Sequence, residues 1–308
     1  MKLIDVILVL LLLGVLSFGL YVLWLYLPAE TITYEPVSAQ YQENISISSK
    51  KSQIQFYPGM RYPSSTISYQ FEDACDSEKK ELVLSAFSIL SEKTLLNFIP
   101  ANSDARLEIV CSDIAPTSEQ KNHFIAGEGG PTSIINASKQ YVILKGKISL
   151  FRNERCETPN IALHEILHAL GFDHNQNPDS IMYPVTNCGQ VFDESLIGAI
   201  NELYSTPEGP DLALLEVRAS KSGRYLSFQA LVMNQGLEDA HNVHFSVIAD
   251  GELAKTFSLQ TISIGTRKSL EVENVPIARN AAELVFLISS EKDTSMLNNQ
   301  VTLLLEDE

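Results

Sequence analysis

The chain has 308 residues, more than one compact core usually needs, so two folded units plus extras are expected. Its 38 acidic against 22 basic side chains give a formal charge of −16, which speaks against nucleic acid as a partner and against docking on anionic lipid by charge alone. With 45% hydrophobic and 19% charged residues, most of the chain has the composition of a folded protein.

Residues 6–27 read VILVLLLLGVLSFGLYVLWLYL, without a charge. At 1.5 Å per residue such a helix can cross a hydrocarbon layer of about 30 Å. Tyr21, Trp24 and Tyr26 gather at its end, as interfacial rings do. The apolar run of a cleaved signal is shorter, about 7–15 residues, and ends in a small-residue site that is missing here. Residues 1–27 are therefore expected to be a transmembrane signal anchor. Lys2 before the span and Glu30 and Glu35 after it favour a single-pass protein of the cell membrane with its body outside. Residues 28–60, rich in Ser, Gln, Thr and Tyr with little periodicity, read as a stalk. The sequons Asn44-Ile45-Ser46 and Asn136-Ala137-Ser138 permit glycosylation and no more.

Four cysteines follow, Cys75, Cys111, Cys156 and Cys188, none in a C-x-x-C pair, and spacing alone allows three pairings. Residues 66–72 and 105–110 alternate like strands. Between them, residues 76–93 carry a helical stripe of Leu82, Val83, Ala86, Phe87 and Leu90. A right-handed crossover makes the two strands parallel, with their C-terminal ends on one side. Cys75 and Cys111 lie just beyond those ends. The expected bridges are Cys75–Cys111 and, by remainder, Cys156–Cys188, which require an oxidising compartment.

The chemistry is concentrated in residues 164–174, HEILHALGFDH. Thr158 can cap a helix that begins at Pro159. Every residue from 161 to 170 is apolar except His164, Glu165 and His168, so the helix should be buried, and burying those three is costly unless something pairs with them. A divalent metal does so: His164 and His168, four residues apart, project from one face, and Glu165 points about 100° further round. Gly171 suits the positive φ of a helix C-cap, which lets His174 swing back as a third ligand. Three nitrogens and one open position describe a site for one catalytic Zn2+ rather than a structural one. The pattern arises by chance in fewer than about one chain in ten thousand.

This segment resembles the zinc motif of the metzincin metallopeptidases. Residues 180–184, SIMYP, look like that clan's Met-turn, closest in wording to the matrixin branch. Residues 192–204 resemble the matrixins' closing helix, and the likeness spans 61–206. It implies an α+β catalytic domain with a mixed twisted sheet, and a Met182 that supports the site without ligating it. It also implies a zinc-bound water activated by Glu165 as general base, with a protein or peptide substrate laid along an edge strand. By position that strand falls at residues 124–128, with the wall of the pocket at 184–187. Three features depart from the family. Residues 28–60 lack the cysteine of a latency switch. The histidine-rich loop for a second zinc is missing, and His123 reads as a surface residue. Metzincins with a tyrosine fifth ligand place it two positions after the methionine, so Tyr183, directly after Met182, reads as pocket wall. Ca2+ is possible but not indicated, since no EF-hand-like loop stands out.

After residues 206–210, TPEGP, seven short alternating stretches without cysteine suggest an immunoglobulin-like all-β sandwich over 207–308. Asn234-Gln235-Gly236 and Asn298-Asn299-Gln300-Val301 resemble adhesion-related modules of prokaryotic surface proteins, which imply a surface partner. The expected protein is a membrane-anchored extracytoplasmic zinc metalloendopeptidase. The alternative is a cell-surface adhesion protein whose zinc-stabilised peptidase scaffold turns over little or not at all.

Overall fold

The computed structural model describes residues 3–26, 31–34, 54–117, 125–154 and 156–305. The first sequon and His123 lie outside them.

Helix α1 (Leu3–Tyr26) carries the apolar run. Its described side chains, residues 9–23, are all exposed. Among the described residues no helix is long and apolar enough to cross a membrane, so the expected transmembrane span is not supported. Strand β1 (Thr31–Tyr34) follows within the stretch read as stalk.

The chain divides into two units, one holding residues 43–210 and 235–238, the other residues 1–42, 211–234 and 239–308. The first has a mixed α+β architecture. Strand β2 (Thr66–Phe71) leads into helix α2 (Ser77–Lys93), whose N-cap Asp76 accepts from Lys79 N–H. The helix buries Val83, Ala86, Phe87 and Leu90, as its stripe requires. Next come β3 (Asn97–Pro100) and β4 (Leu107–Cys111), then β5 (Gly127–Asn136) and β6 (Tyr141–Leu150). The sheet order is β3-β2-β4-β6-β5. β2, β3, β4 and β6 run parallel and β5 antiparallel along one edge. The parallel β2–β4 pair puts Cys75 and Cys111 together, and they form a disulfide with Cα atoms 4.8 Å apart. Cys156 and Cys188 form the other.

Helix α3 (Asn160–Ala169) carries the histidines and α4 (Glu194–Ser205) closes the unit. α3 starts one residue later than the sequence suggests. Pro159 occupies the cap without a side-chain bond, while Thr158 Oγ1 turns to Asn160 Oδ1. The Ile161 N–H is satisfied instead by Glu154 Oε2 at 2.9 Å. α4 has an ordinary cap, Asp193, which accepts from Ser195 and Leu196 N–H. Residues 54–60 also pack here: Met60 is buried in this core and Gln55 bridges to Phe172, so the fold begins ahead of residue 61.

The second unit is a β-sandwich of β7 (Leu212–Ser222), β8 (Tyr225–Asn234), β9 (Ala240–Ala249), β10 (Glu252–Ile262), β11 (Arg267–Pro276), β12 (Glu283–Ser289) and β13 (Gln300–Leu304). Its sheets run β1-β7-β8-β11 and β10-β9-β12-β13. β1 adds antiparallel to β7, with Thr31 opposite Ser222. Alternating residues meet in the core, where Phe228 of one sheet stacks on Phe245 of the other with centroids 5.6 Å apart.

Candidate active site

α3 is apolar nearly all round, and the structure buries it: His164, Glu165 and His168 are 4%, 7% and 7% exposed. The i, i+4 spacing puts both imidazoles on one face. Gly171 adopts φ +96°, which turns the chain and returns His174 to the same point. The three Nε2 atoms lie 3.0, 3.1 and 3.2 Å apart. His164 Nδ1 is 2.6 Å from the Ile181 carbonyl and His168 Nδ1 is 2.8 Å from the Phe172 carbonyl. A carbonyl can only accept, so each Nδ1 carries the proton and each Nε2 presents a lone pair.

Converging lone pairs repel unless a cation lies between them. Tetrahedral zinc with Zn–N bonds of 2.0–2.1 Å separates its nitrogens by roughly 3.3 Å, and the triangle fits that spacing. Among the described residues this is the group of three that could hold a metal ion. Burial also favours the neutral imidazoles. It pushes His164 down to about 4, against the opposing bond to Ile181, and lowers His168 and His174 as well.

Glu165 lies beside the triangle in the same cleft. Burial, and then the charge of Glu128, push its carboxyl up to about 8. Its closeness to the sheet edge depends on glycine. A Cβ on Gly127 would stand 2.6 Å from Glu165 Cγ, and one on Gly129 would stand 2.1 Å from the Glu165 carbonyl oxygen. The expected edge strand at 124–128 is thus β5, Gly127–Asn136, with the glycines inside the strand rather than after it. Glycine within a strand marks a close approach of backbone, and that signal was readable in the sequence.

The cleft holds about 770 Å³ between β5 and residues 184–188. Three devices fix that wall. The Cys156–Cys188 disulfide ties it to the approach of α3. Asn160 Nδ2 donates to Asn187 O at 2.8 Å, and Gln190 Nε2 donates to Val185 O at 2.9 Å. Tyr183 is not among the lining residues, contrary to its reading as pocket wall; Pro184 and Val185 are. Met182 is fully buried. Its carbonyl accepts from Asn175 N–H at 2.9 Å, directly after His174. Ser180 Oγ, held by Asn175 Nδ2, donates to Asp193 Oδ2 at 2.7 Å and links the Met-turn to the cap of α4.

Residues 55–180 match the model of the Astacin peptidase family, and residues 209–299 match that of CARDB. Two solved structures are similar to part of the chain. One is the crystal structure of a CARDB domain from Pyrococcus furiosus in complex with di-metal ions, 17% identical, covering 32% of this chain and 88% of that one with a TM-score of 0.26. The other is the solution NMR structure of a domain of a candidate cell-surface protein from Methanosarcina acetivorans, 16% identical, covering 32% and 92% with a TM-score of 0.27. Likeness at these TM-scores is too slight to argue from. The astacin family is zinc-dependent, and the histidine triad is present here. The chain thus contains an astacin-family metzincin metallopeptidase domain at residues 55–180 and a CARDB domain at residues 209–299.

Proposed function

We propose that this protein is a zinc metalloendopeptidase of matrixin-like character, held by α1 in a membrane with its folded units on the extracytoplasmic side. The observation that carries the reading is the triangle of converging Nε2 atoms beside a buried glutamate in an open cleft. His164, His168 and His174 would hold the metal. A bound zinc supplies Lewis acidity, lowering the pKa of a water and polarising a peptide carbonyl. Glu165 accepts a proton from the attacking water and returns it to the leaving amine; burial raises its carboxyl in the metal-free chain, and a bound cation would favour the ionised form that a base needs. β5, at the edge of its sheet, offers backbone to an extended substrate, and Gly127 and Gly129 keep that substrate close to Glu165. Pro184 stands two positions after Met182, where a tyrosine ligand would sit, which favours a matrixin-like set of three histidines.

The anchor reading rests on an uncharged run of 22 residues and on exposed apolar side chains along α1. The two disulfides support an oxidising compartment. The CARDB domain suits a surface-related role.

The test uses the full chain in detergent micelles with an unfolded protein substrate. Cleavage is expected, and it is expected to vanish with a zinc chelator and in Glu165→Ala, which retains one zinc per chain. A chain that holds zinc yet cleaves nothing would instead favour the adhesion scaffold.

A further inference from the structure

His174 is the exposed member of the triad and sits on a loop, where nothing in helix geometry fixes it. What fixes it is the tripeptide Gly171–Phe172–Asp173. Its first residue makes the turn, its second supplies the carbonyl that orients His168, and its third leads into His174. This tripeptide is itself paired on its outer side. Phe56 N–H donates to Gly171 O at 3.0 Å and Asp173 N–H donates to Ile54 O at 2.7 Å, with Gln55 bridged antiparallel to Phe172. Met60 packs where Gly171 lacks a side chain, so close that a Cβ would meet its Cγ at 2.7 Å. Gln55 Nε2 closes the segment by donating to Met60 O at 2.8 Å. The Phe56 ring stacks on the His168 imidazole, centroids 5.8 Å apart and 20° between planes, without lining the cleft.

We infer that residues 54–60 are a strap that positions the metal site, with Phe56 the positioning residue for His168 and the backbone of Ile54 and Phe56 setting the loop that delivers His174. The inference rests on the zinc reading above. Every histidine in the triad is then held from outside its own element: His164 by Ile181 of the Met-turn, His168 by Phe172 and Phe56, and His174 by the strap and Met182. None of residues 54–60 lines the cleft, so the strap's effect is on metal affinity and ligand geometry.

The test measures zinc affinity of the full chain in micelles by competition with a chromophoric chelator, and the visible spectrum after cobalt substitution. Phe56→Ala removes the ring, and Phe56→Pro removes the N–H that Gly171 accepts from. Both are expected to weaken zinc about 10–100-fold and to change the cobalt bands, with Phe56→Tyr within about twofold of wild type. Gln55→Ala, which only opens the strap, is the guard against misfolding and shifts affinity in the same direction. Unchanged affinity and cobalt bands, with melting lowered equally in metal-free and loaded protein, would make the strap mere packing and overturn the inference. A wild-type chain that binds no zinc would fail the zinc reading itself, a result distinguishable from the first.

Discussion

The two units treat buried polar groups differently. In the sandwich they stand at or beside strand ends: Asn234 closes β8, Asp211 precedes β7 and Asn299 precedes β13. There they serve the backbone, as when Asn234 Nδ2 donates to Ile262 O and its Oδ1 accepts from Asp211 N–H. In the peptidase unit His164, Glu165 and His168 lie in the middle of a buried helix, with their reactive atoms turned towards one another or into a cleft. A polar residue at an element's end is explained by the fold. One in mid-helix with a converging lone pair needs a ligand to explain it.

That contrast can be broken most forcefully in the sandwich core. Phe286 is fully buried, 5.2 Å from Phe228 and 6.2 Å from Phe245 between ring centroids. Phe286→Ala should cost about 3–5 kcal/mol of sandwich stability, read as a lowered denaturant midpoint. Peptide cleavage at low temperature should keep its kcat, and a matching loss of kcat would mean that the units are not energetically separate.

A pair of glycines sharpens it further. Gly129→Ala forces a Cβ to 2.1 Å from the Glu165 carbonyl oxygen, a backbone collision that should cost on the order of 1–3 kcal/mol and lower kcat with it. Gly251→Ala meets nothing within 4 Å and strains only a φ of +81°, so about 1 kcal/mol and no change in kcat are expected. Equal effects of the two on cleavage would sink the assignment of Gly129 to the site.

Metal-free protein should also show a pH dependence. The Glu165 carboxyl is raised to about 8 in the fold, so the native state holds a proton that the unfolded state releases near pH 4.3. Between those values stability falls as pH rises, because the unfolded state binds fewer protons. Glu165→Gln removes this penalty. Its melting advantage over wild type should be absent near pH 4, grow through neutrality and level off beyond about pH 8. An advantage constant with pH would place the carboxylate in contact with solvent.

Much of this was legible in the sequence for physical reasons. Seven alternating stretches became seven strands because each has one wet and one dry face. β2 and β4 are parallel as expected, which brings Cys75 to Cys111, although the strand that α2 leads into is β3 and β4 lies on the other side of β2. The histidine spacing carries its own geometry. What could not be read depends on partners far along the chain. Residues 54–60, QFYPGM after Ile54, have no periodicity, and their role appears only when Ile54 and Phe56 meet residues more than a hundred positions later. β3, four residues ending in Pro100, is too short to alternate. Thr158 looked like a cap, but the Ile161 N–H found a stronger acceptor in Glu154.

β1 bears on what a backbone nick would release. Because β1 and β7 share a sheet, the peptidase unit is an insertion between two parts of one folded body. A nick in the connection after β1 cuts the backbone, yet the amino-terminal fragment stays clipped to the rest by Thr31–Tyr34 pairing with Ala219–Ser222. A nick at residues 207–210 leaves the same clip holding the sandwich. Such a clip amounts to a few hydrogen bonds of about 1 kcal/mol net each. At roughly 4 kcal/mol such a clip corresponds to about millimolar affinity, so it delays the release of a nicked fragment without preventing it.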